Sequence, residues 1–287
     1  MEINDLAIDH AALDEHQRRF DELGYTIIKG ALAPDKVEKL LTVIDEMRAA
    51  FHDHAHRNAS ERGLNIRPVI DKHPAFRALL MWPATFPVVV KLLGHYNIQL
   101  MQSHLFEANP GHAQRVTGWH NDGGVPAIEV NGIRAFGSLK VGYFLRAIDQ
   151  ENMGGLMVVP GSHRIQGAPP FRDGEPDPVG AVQVRFEAGD AIVFQQGLWH
   201  AAAPNLSNQR RTALYYGYGY RVFRPVDYQT MPAKLLDACS PIERQLLGET
   251  VNHQGYYLPT VEDTPLKPWF DEHFEPVNGG NLGLIRH

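Results

Sequence analysis

The chain has 287 residues, 44% hydrophobic and 21% charged, which is typical of a globular protein with a sizeable core. Its net charge of −6 argues against broad electrostatic attraction to nucleic acid or to an anionic membrane. The single cysteine, Cys239, excludes an internal disulfide, and the sequence has neither a signal-peptide pattern nor a run of about 18 apolar residues, so we expect a cytoplasmic protein.

The first third of the sequence is predicted to be mainly helical. Apolar residues at helical spacing predict a short helix over residues 13–23 and a stronger one over 34–51. Between them, residues 25–29 are β-branched and aromatic, which predicts a strand. The polar stretch 57–68 is expected to be a loop, and residues 79–93 to form another helix despite two prolines.

After Gly94 the pattern is extended for more than a hundred residues. A hairpin is predicted around Asn131-Gly132, a dipeptide favoured by type I′ turns. Other strands are predicted at residues 98–106, 138–145, 156–159, 182–186, 191–194 and 212–220. Many short strands separated by turns favour a sandwich or a closed barrel, with the N-terminal helices against one face.

Beyond Arg221 helical signals return, including the capping box Ser240-Pro241-Ile242-Glu243. No linker or internal repeat divides the sequence. We therefore predict one domain over residues 1–287, with a strand-rich core at about 95–224, a helical brace at about 13–93 and a C-terminal segment at about 225–287 that can cover the site.

Three side chains are candidate metal ligands. In an extended strand, residues two apart point to the same side, so His120 and Asp122 can converge on one point. His200 follows a predicted strand 80 residues later and precedes small residues that leave room around it. Two histidines and one carboxylate can bind one face of iron(II) and leave three coordination positions open. Taken singly, a histidine in a strand is more often a core or edge residue than a ligand.

Arg211 lies eleven residues after His200. If the chain turns at residues 205–208 and returns as an antiparallel strand, this arginine can come back alongside His200. Its guanidinium would then offer a bidentate clamp for a carboxylate. The alternative is that Arg210 and Arg211 form a solvated basic pair at the start of a strand.

Taken together, these motifs resemble the phytanoyl-CoA dioxygenase family, non-haem iron(II) oxygenases that use 2-oxoglutarate. The resemblance covers roughly residues 14–224 and rests on His120-x-Asp122, segment 152–164, the Gly189-Asp190 turn, His200 and Arg211. It implies a mainly β fold with flanking helices, the double-stranded β-helix or jelly-roll barrel, with iron near one open end.

The resemblance also implies roles for individual residues. His120, Asp122 and His200 match the iron ligands, and Arg211 matches the arginine that pairs with the distal carboxylate of 2-oxoglutarate. Gln102 resembles a position from which a polar residue reaches the cosubstrate, and Tyr143 is a second candidate. Where some members carry a hydroxyl residue two after the second histidine, this chain has Ala202. Four aromatic residues are candidates for the substrate pocket, although a core position is the more common one for such residues: Trp119, Phe136, Trp199 and Tyr220.

We therefore expect an iron(II)- and 2-oxoglutarate-dependent dioxygenase that uses O2 to oxidise a C–H bond of a small organic molecule, with succinate and CO2 as co-products. Halogenating relatives replace the metal carboxylate with Gly or Ala, so Asp122 favours hydroxylation or another oxidation. Two alternatives remain open: a cupin-like metalloenzyme that does not use 2-oxoglutarate, and a non-catalytic binding protein on the same fold. The sequence indicates neither the substrate nor the oligomeric state.

Overall fold

The computed structural model describes residues 3, 6–52, 59–60, 63–122, 129–130, 133–134 and 136–274. The helices are α1 His10–Leu23, α2 Pro34–His52, α3 Pro74–Arg77, α4 Phe86–Leu93, α5 Ala233–Asp237, α6 Pro241–Leu246 and α7 Lys267–His273. The strands are β1 Tyr25–Ile28, β2 Ala59–Ser60, β3 Gly63–Ile66, β4 Ile98–Ala108, β5 Glu129–Val130, β6 Ile133–Arg134, β7 Ser138–Phe144, β8 Leu156–Val158, β9 Val182–Gln183, β10 Ala191–Gln195, β11 His200–Ala202 and β12 Arg211–Tyr220. Among these residues no helix has the length and apolar character needed to traverse a bilayer.

The strands form two main antiparallel sheets. The larger has the order β1-β10-β7-β12-β4-β3-β2 and the smaller the order β11-β8-β9, while β5 pairs only with β6. Apolar side chains from both main sheets meet in one buried cluster, including Phe144 and Phe194 from the larger sheet and Leu156 and Val158 from the smaller. This is the predicted double-stranded β-helix, in which two sheets enclose a core between their inner faces.

The outer face of the larger sheet packs against helices, as predicted for the N-terminal brace. Side chains alternate across a strand, so every second residue of β7 and β12 points toward these helices. Buried tyrosines on that face also need hydrogen-bond partners for their hydroxyl groups. Tyr143 bonds to Thr85 Oγ1 at 2.6 Å, Tyr216 donates to Phe76 O at 2.8 Å, and Tyr218 donates to Leu80 O at 2.9 Å.

Two predictions for the N-terminal third are wrong in part. The expected loop at 57–68 contains β3, which extends the larger sheet by pairing with β4, because its alternate residues Leu64 and Ile66 are buried. Of the helix expected at 79–93, only α4 forms. It begins at Phe86 with Pro87 in its first turn, where the missing N–H of proline leaves no hydrogen bond unmade.

Two local turn predictions agree with the structure. Ser240 Oγ accepts from Glu243 N at 3.3 Å and Ser240 N donates to Glu243 Oε2 at 2.8 Å, so the predicted capping box opens α6. Strands β5 and β6 pair in antiparallel fashion on either side of the predicted hairpin turn. The turn residues Asn131 and Gly132 themselves lie outside the described residues.

Candidate active site

Main-chain pairing brings the three candidate ligands together. His120 N donates to His200 O at 3.0 Å, and His200 N donates to His120 O at 2.8 Å. Two residues on, Asp122 N donates to Gln196 O at 2.9 Å, which keeps the segment extended and its side chain on the same side as that of His120. One potential ligand atom from each of the three residues lies within 4.8 Å of the other two.

Backbone carbonyls determine which nitrogen each imidazole presents. Nδ1 of His120 lies 2.9 Å from Gly118 O, and Nδ1 of His200 lies 2.9 Å from Leu198 O. A carbonyl oxygen can only accept, so each Nδ1 carries the proton and each Nε2 keeps its lone pair. Burial lowers the pKa of His200 to about 4, which keeps its imidazole neutral at physiological pH. Both rings are therefore in the form that binds a metal through Nε2.

One carboxylate oxygen of Asp122 has a hydrogen-bond partner, and the other has none among the described residues. Oδ1 accepts from Lys140 Nζ at 2.6 Å, whereas Oδ2 is buried and has no hydrogen-bond partner. Burial alone would raise the pKa of Asp122, but the charge of Lys140 and its hydrogen bond to the carboxylate hold that pKa below its ordinary value. A buried anionic oxygen without a partner is costly, and a cation bound beside the two Nε2 atoms would satisfy it. The donor set fits iron(II).

A cavity of about 80 Å³ adjoins this cluster. His104 and Phe106 from β4 and Tyr215 from β12 line it from the larger sheet, because residues two apart on each strand share the inner face. Phe194 and Lys140 extend this wall. The described wall is thus largely aromatic, with a cationic group beside Asp122.

Arg211 is the first residue of β12 and is only 2% exposed. Its Nε donates to Gly154 O at 2.8 Å and its Nη1 to Phe106 O at 2.6 Å, and the guanidinium lies 4.7 Å from the centre of the Phe106 ring. It shares the inner face of the sheet with Tyr215. Of the two neighbouring arginines, Arg210 is the partly solvated one. Its half-buried side chain donates to Asn109 Oδ1 at 2.9 Å.

The other predicted cosubstrate residues lie on opposite faces of the larger sheet. Gln102 is buried on the inner face, in line with His104 and Phe106, and pairs with Gly217. Its predicted contact with the cosubstrate stays a prediction. Tyr143 points to the outer face, where its hydroxyl bonds Thr85, so the prediction that it reaches the cosubstrate is wrong.

The four predicted pocket aromatics do not line the cavity along the described chain. Trp119 and Trp199 each stand next to a histidine ligand in extended chain, so their side chains leave on the opposite side. Trp119 donates to Asp177 Oδ1 at 2.8 Å, and Tyr220 donates to Leu93 O at 2.8 Å. Phe136 packs on Phe20 with ring centres 5.8 Å apart. None of the four lines the cavity, so these predictions are wrong, and Phe106, Phe194 and Tyr215 form its aromatic wall instead.

Sequence reasoning missed Lys140, Tyr215 and His104. Lys140 gave a usable signal, because it is the one charged residue of β7 and lies two residues before Gly142 on the inner face. A lone lysine inside an otherwise apolar strand indicates a buried anionic partner. Tyr215 and His104 gave no such signal, since aromatic and polar residues occur on both faces of their strands.

Comparison with known proteins supports one family. The family model described as phytanoyl-CoA dioxygenase (PhyH) matches residues 20–213. Dioxygenase af480 of Aspergillus fumigatus is 25% identical over 270 residues, covering 86% of this chain and 79% of the relative. Dioxygenase olcK of Penicillium canescens is 24% identical over 271 residues, covering 88% and 86%.

Solved structures show the same fold. The apo form of EctD from S. alaskensis has a TM-score of 0.60 at 23% identity and covers 79% of this chain and 82% of that one. The epimerase SnoN, solved with Fe3+, alpha ketoglutarate and nogalamycin RO, has a TM-score of 0.58 at 22% identity and covers 76% and 88%. The chain belongs to the phytanoyl-CoA dioxygenase family and is an iron(II)- and 2-oxoglutarate-dependent dioxygenase.

Proposed function

We propose that His120, Asp122 and His200 hold iron(II), that Arg211 binds the far carboxylate of 2-oxoglutarate, and that the enzyme hydroxylates an unactivated C–H bond of a small organic molecule. The observation that carries this proposal is the pair of imidazoles whose Nδ1 atoms are both bonded to backbone carbonyls, beside a carboxylate with an unpartnered oxygen. The ligands bound in solved structures of similar proteins, nogalamycin RO in SnoN and 5-hydroxyectoine in EctD, support a small-molecule substrate.

Each protein group has a distinct task in this proposal. The two Nε2 atoms and Asp122 Oδ2 would hold iron(II), and a set of three protein ligands would leave coordination positions for the cosubstrate and O2. Lys140 occupies Asp122 Oδ1, so the carboxylate coordinates through one oxygen only. Bound iron(II) supplies the activation of O2, with succinate and CO2 as co-products. Aromatic side chains around the cavity limit the access of water.

Arg211 is suited to a dicarboxylate because it is buried and fixed. Two of its nitrogens already bond carbonyls, and no hydrogen bond of the described residues uses Nη2. The guanidinium is therefore fixed in orientation, with Nη2 left to donate to a carboxylate. This gives a single strong charge-assisted contact in place of the bidentate clamp expected from the sequence. Tyr215 lies beside it on the inner face and provides a second donor.

Arg211→Met and the neighbouring Arg210→Met form a matched pair for the test. We expect Arg211→Met to weaken 2-oxoglutarate binding to the anaerobic iron(II) enzyme by on the order of 100-fold, because a buried charged contact is lost. Arg210→Met should leave that binding within about twofold of the wild type. The charge-transfer band of the iron–2-oxoglutarate complex measures both. Equal affinities of the two variants would contradict the assignment of Arg211.

The proposed outcome of the reaction has its own test. Incubation with candidate small molecules should give substrate-stimulated succinate formation, and mass spectrometry under ¹⁸O2 should show one labelled oxygen atom in the product of a hydroxylation. A product that is desaturated or rearranged, with no added oxygen, would contradict hydroxylation while leaving the cofactor assignment intact.

A further inference from the structure

A third cation, Arg67, lies at the mouth of the iron cavity. It follows β3 directly and lines the cavity together with Lys140 and the two histidine ligands. Its side chain is exposed, and within the described chain its guanidinium makes no hydrogen bond and no ion pair. Alternation places Arg67 on the same side of its strand as Asn65, whose Oδ1 bonds His104 Nε2 at 2.6 Å. Arg67 thus lies at the rim of the inner face.

Three cations, Arg67, Lys140 and Arg211, lie within electrostatic range of His104. Burial lowers the pKa of His104 well below its ordinary range, and the charges of Arg67, Lys140 and Arg211 act in the same direction. The imidazole is therefore neutral and serves as part of the wall. Arg67 and Lys140 line the cavity, and Arg211 lies within electrostatic range of the same His104 ring. In a chain whose net charge is −6, this local positive charge has to be explained by what binds there.

The bound metal and cosubstrate do not neutralise these cations. Asp122 offsets Lys140, with which it forms an ion pair at 2.6 Å. Iron(II) and the doubly charged 2-oxoglutarate cancel each other. Asp227 lies within electrostatic range of Arg67 but forms no ion pair with it, and its Oδ2 accepts from Ser103 N at 2.9 Å. Because Arg211 serves the cosubstrate and Asp227 makes no ion pair with Arg67, the charge left without a partner among the described residues is that of Arg67.

We propose that the substrate of this enzyme carries a carboxylate and that Arg67 binds it at the mouth of the iron cavity. This inference rests on the proposed function, because it takes the cavity to hold iron and 2-oxoglutarate. The leftover charge is a single one, which suits a carboxylate better than a phosphate monoester with nearly two negative charges. Arg211 is buried and serves the cosubstrate. Arg67 is exposed and can contact a substrate that enters the cavity from solvent.

The test uses matched acids and amides as probes. The anaerobic enzyme, loaded with iron(II) and 2-oxoglutarate, is titrated with phenylacetate and phenylacetamide and with hexanoate and hexanamide. Binding is followed by the change in the charge-transfer band and by tryptophan fluorescence. We expect each acid to bind about tenfold more tightly than its amide, because only the acid makes a charge-assisted contact with the guanidinium.

Variants decide whether Arg67 causes this preference. Arg67→Gln should abolish it, Arg67→Lys should retain part of it, and Arg172→Gln, in an exposed loop, should leave it unchanged. The affinity for 2-oxoglutarate should be the same in all four proteins. The inference is overturned if no acid binds, if acid and amide bind equally, if the preference survives Arg67→Gln, or if Arg67→Gln weakens 2-oxoglutarate binding. A wild type that binds no iron or no 2-oxoglutarate overturns the proposed function instead.

Discussion

His120 and His200 are hydrogen bonded to each other through their main chains in both directions, at 3.0 and 2.8 Å. The two histidines are thereby held together by main-chain atoms that every residue type except proline possesses. The geometry of the metal centre is therefore a property of the barrel, and a change of ligand side chain leaves the pairing of the two segments in place. Loss of a ligand and loss of the fold can be separated by experiment.

His200→Asn tests this separation. We expect the affinity for Co(II), a stable substitute for iron(II), to fall by at least about 100-fold, because one of three ligands is removed. The urea unfolding midpoint of the metal-free protein should change little. His112→Gln is the control, since His112 lies outside the ligand cluster and pairs through its backbone with Asn205. An unchanged Co(II) affinity in His200→Asn would show that His200 is not a ligand.

Gly142→Ala should disturb the cavity wall. A Cβ atom at Gly142 would lie 2.7 Å from Cε1 of Tyr215, so the ring has to move. We expect a loss of about 1–3 kcal/mol in the free energy of unfolding, by overpacking, and weaker 2-oxoglutarate binding. Gly118→Ala is the matched control, because nothing lies within 4 Å of its Cβ position. Wild-type stability in Gly142→Ala would mean that Tyr215 has room to shift.

A buried ion pair joins α2 to the larger sheet. Glu107 has a side-chain exposure of 0% and bonds Arg48 Nη2 at 2.6 Å. Arg48→Met should lower the free energy of unfolding by about 3 kcal/mol, because it leaves a buried carboxylate poorly compensated. Arg48→Met combined with Glu107→Gln should recover part of the loss. Arg18→Met, which removes two exposed ion pairs on α1, should have a much smaller effect. Chemical denaturation of the three variants and the wild type measures these differences.

Asp227 should make stability depend on pH. Burial raises its pKa from 3.8 to about 6 in the folded protein. A raised folded pKa stabilises the fold most below the unfolded value and loses this contribution as pH rises through about 6. Asp227→Asn removes the ionisation, so its stability relative to wild type should rise by about 1 kcal/mol between pH 4 and pH 7.5, allowing for partial solvent screening. A pH-independent difference would show that Asp227 is solvated.

The local half of the metal site could be predicted from the sequence, and the distant half could not be placed by the same reasoning. His120 and Asp122 share a side because they are two apart in extended chain, a rule that needs no knowledge of the fold. The approach of His200 depends on a long-range strand pairing, which no local pattern encodes. Only the order of motifs along the whole chain pointed to it.

Three of the four wrong predictions for aromatic residues have a common cause. A strand position one residue away from an inward-facing residue faces outward, so Trp119 and Trp199 are excluded from the cavity by their neighbours His120 and His200. Tyr220 is nine residues, an odd number, from the inward-facing Arg211 in the same strand, so it points outward to the helices. The alternation rule that located the ligands was sufficient to exclude both tryptophans.

The boundaries of the N-terminal elements were less predictable because tertiary pairing decides them. Residues of β3 read as polar loop, yet the edge of β4 was available and offered backbone hydrogen bonds to a segment with only two buried side chains. In the same way, Pro87 fixes where α4 begins more strongly than the apolar residues before it.

The carbonyl groups that orient the two imidazoles belong to residues whose side chains face very different constraints. Gly118 has open space where a side chain would stand, whereas Leu198 is fully enclosed in the core. Substitution is therefore tolerated two residues before the first ligand and opposed two residues before the second. An engineer who wants to add a side chain near the metal ligands without disturbing the tautomer of either imidazole should begin at Gly118, where only the main chain takes part in the site.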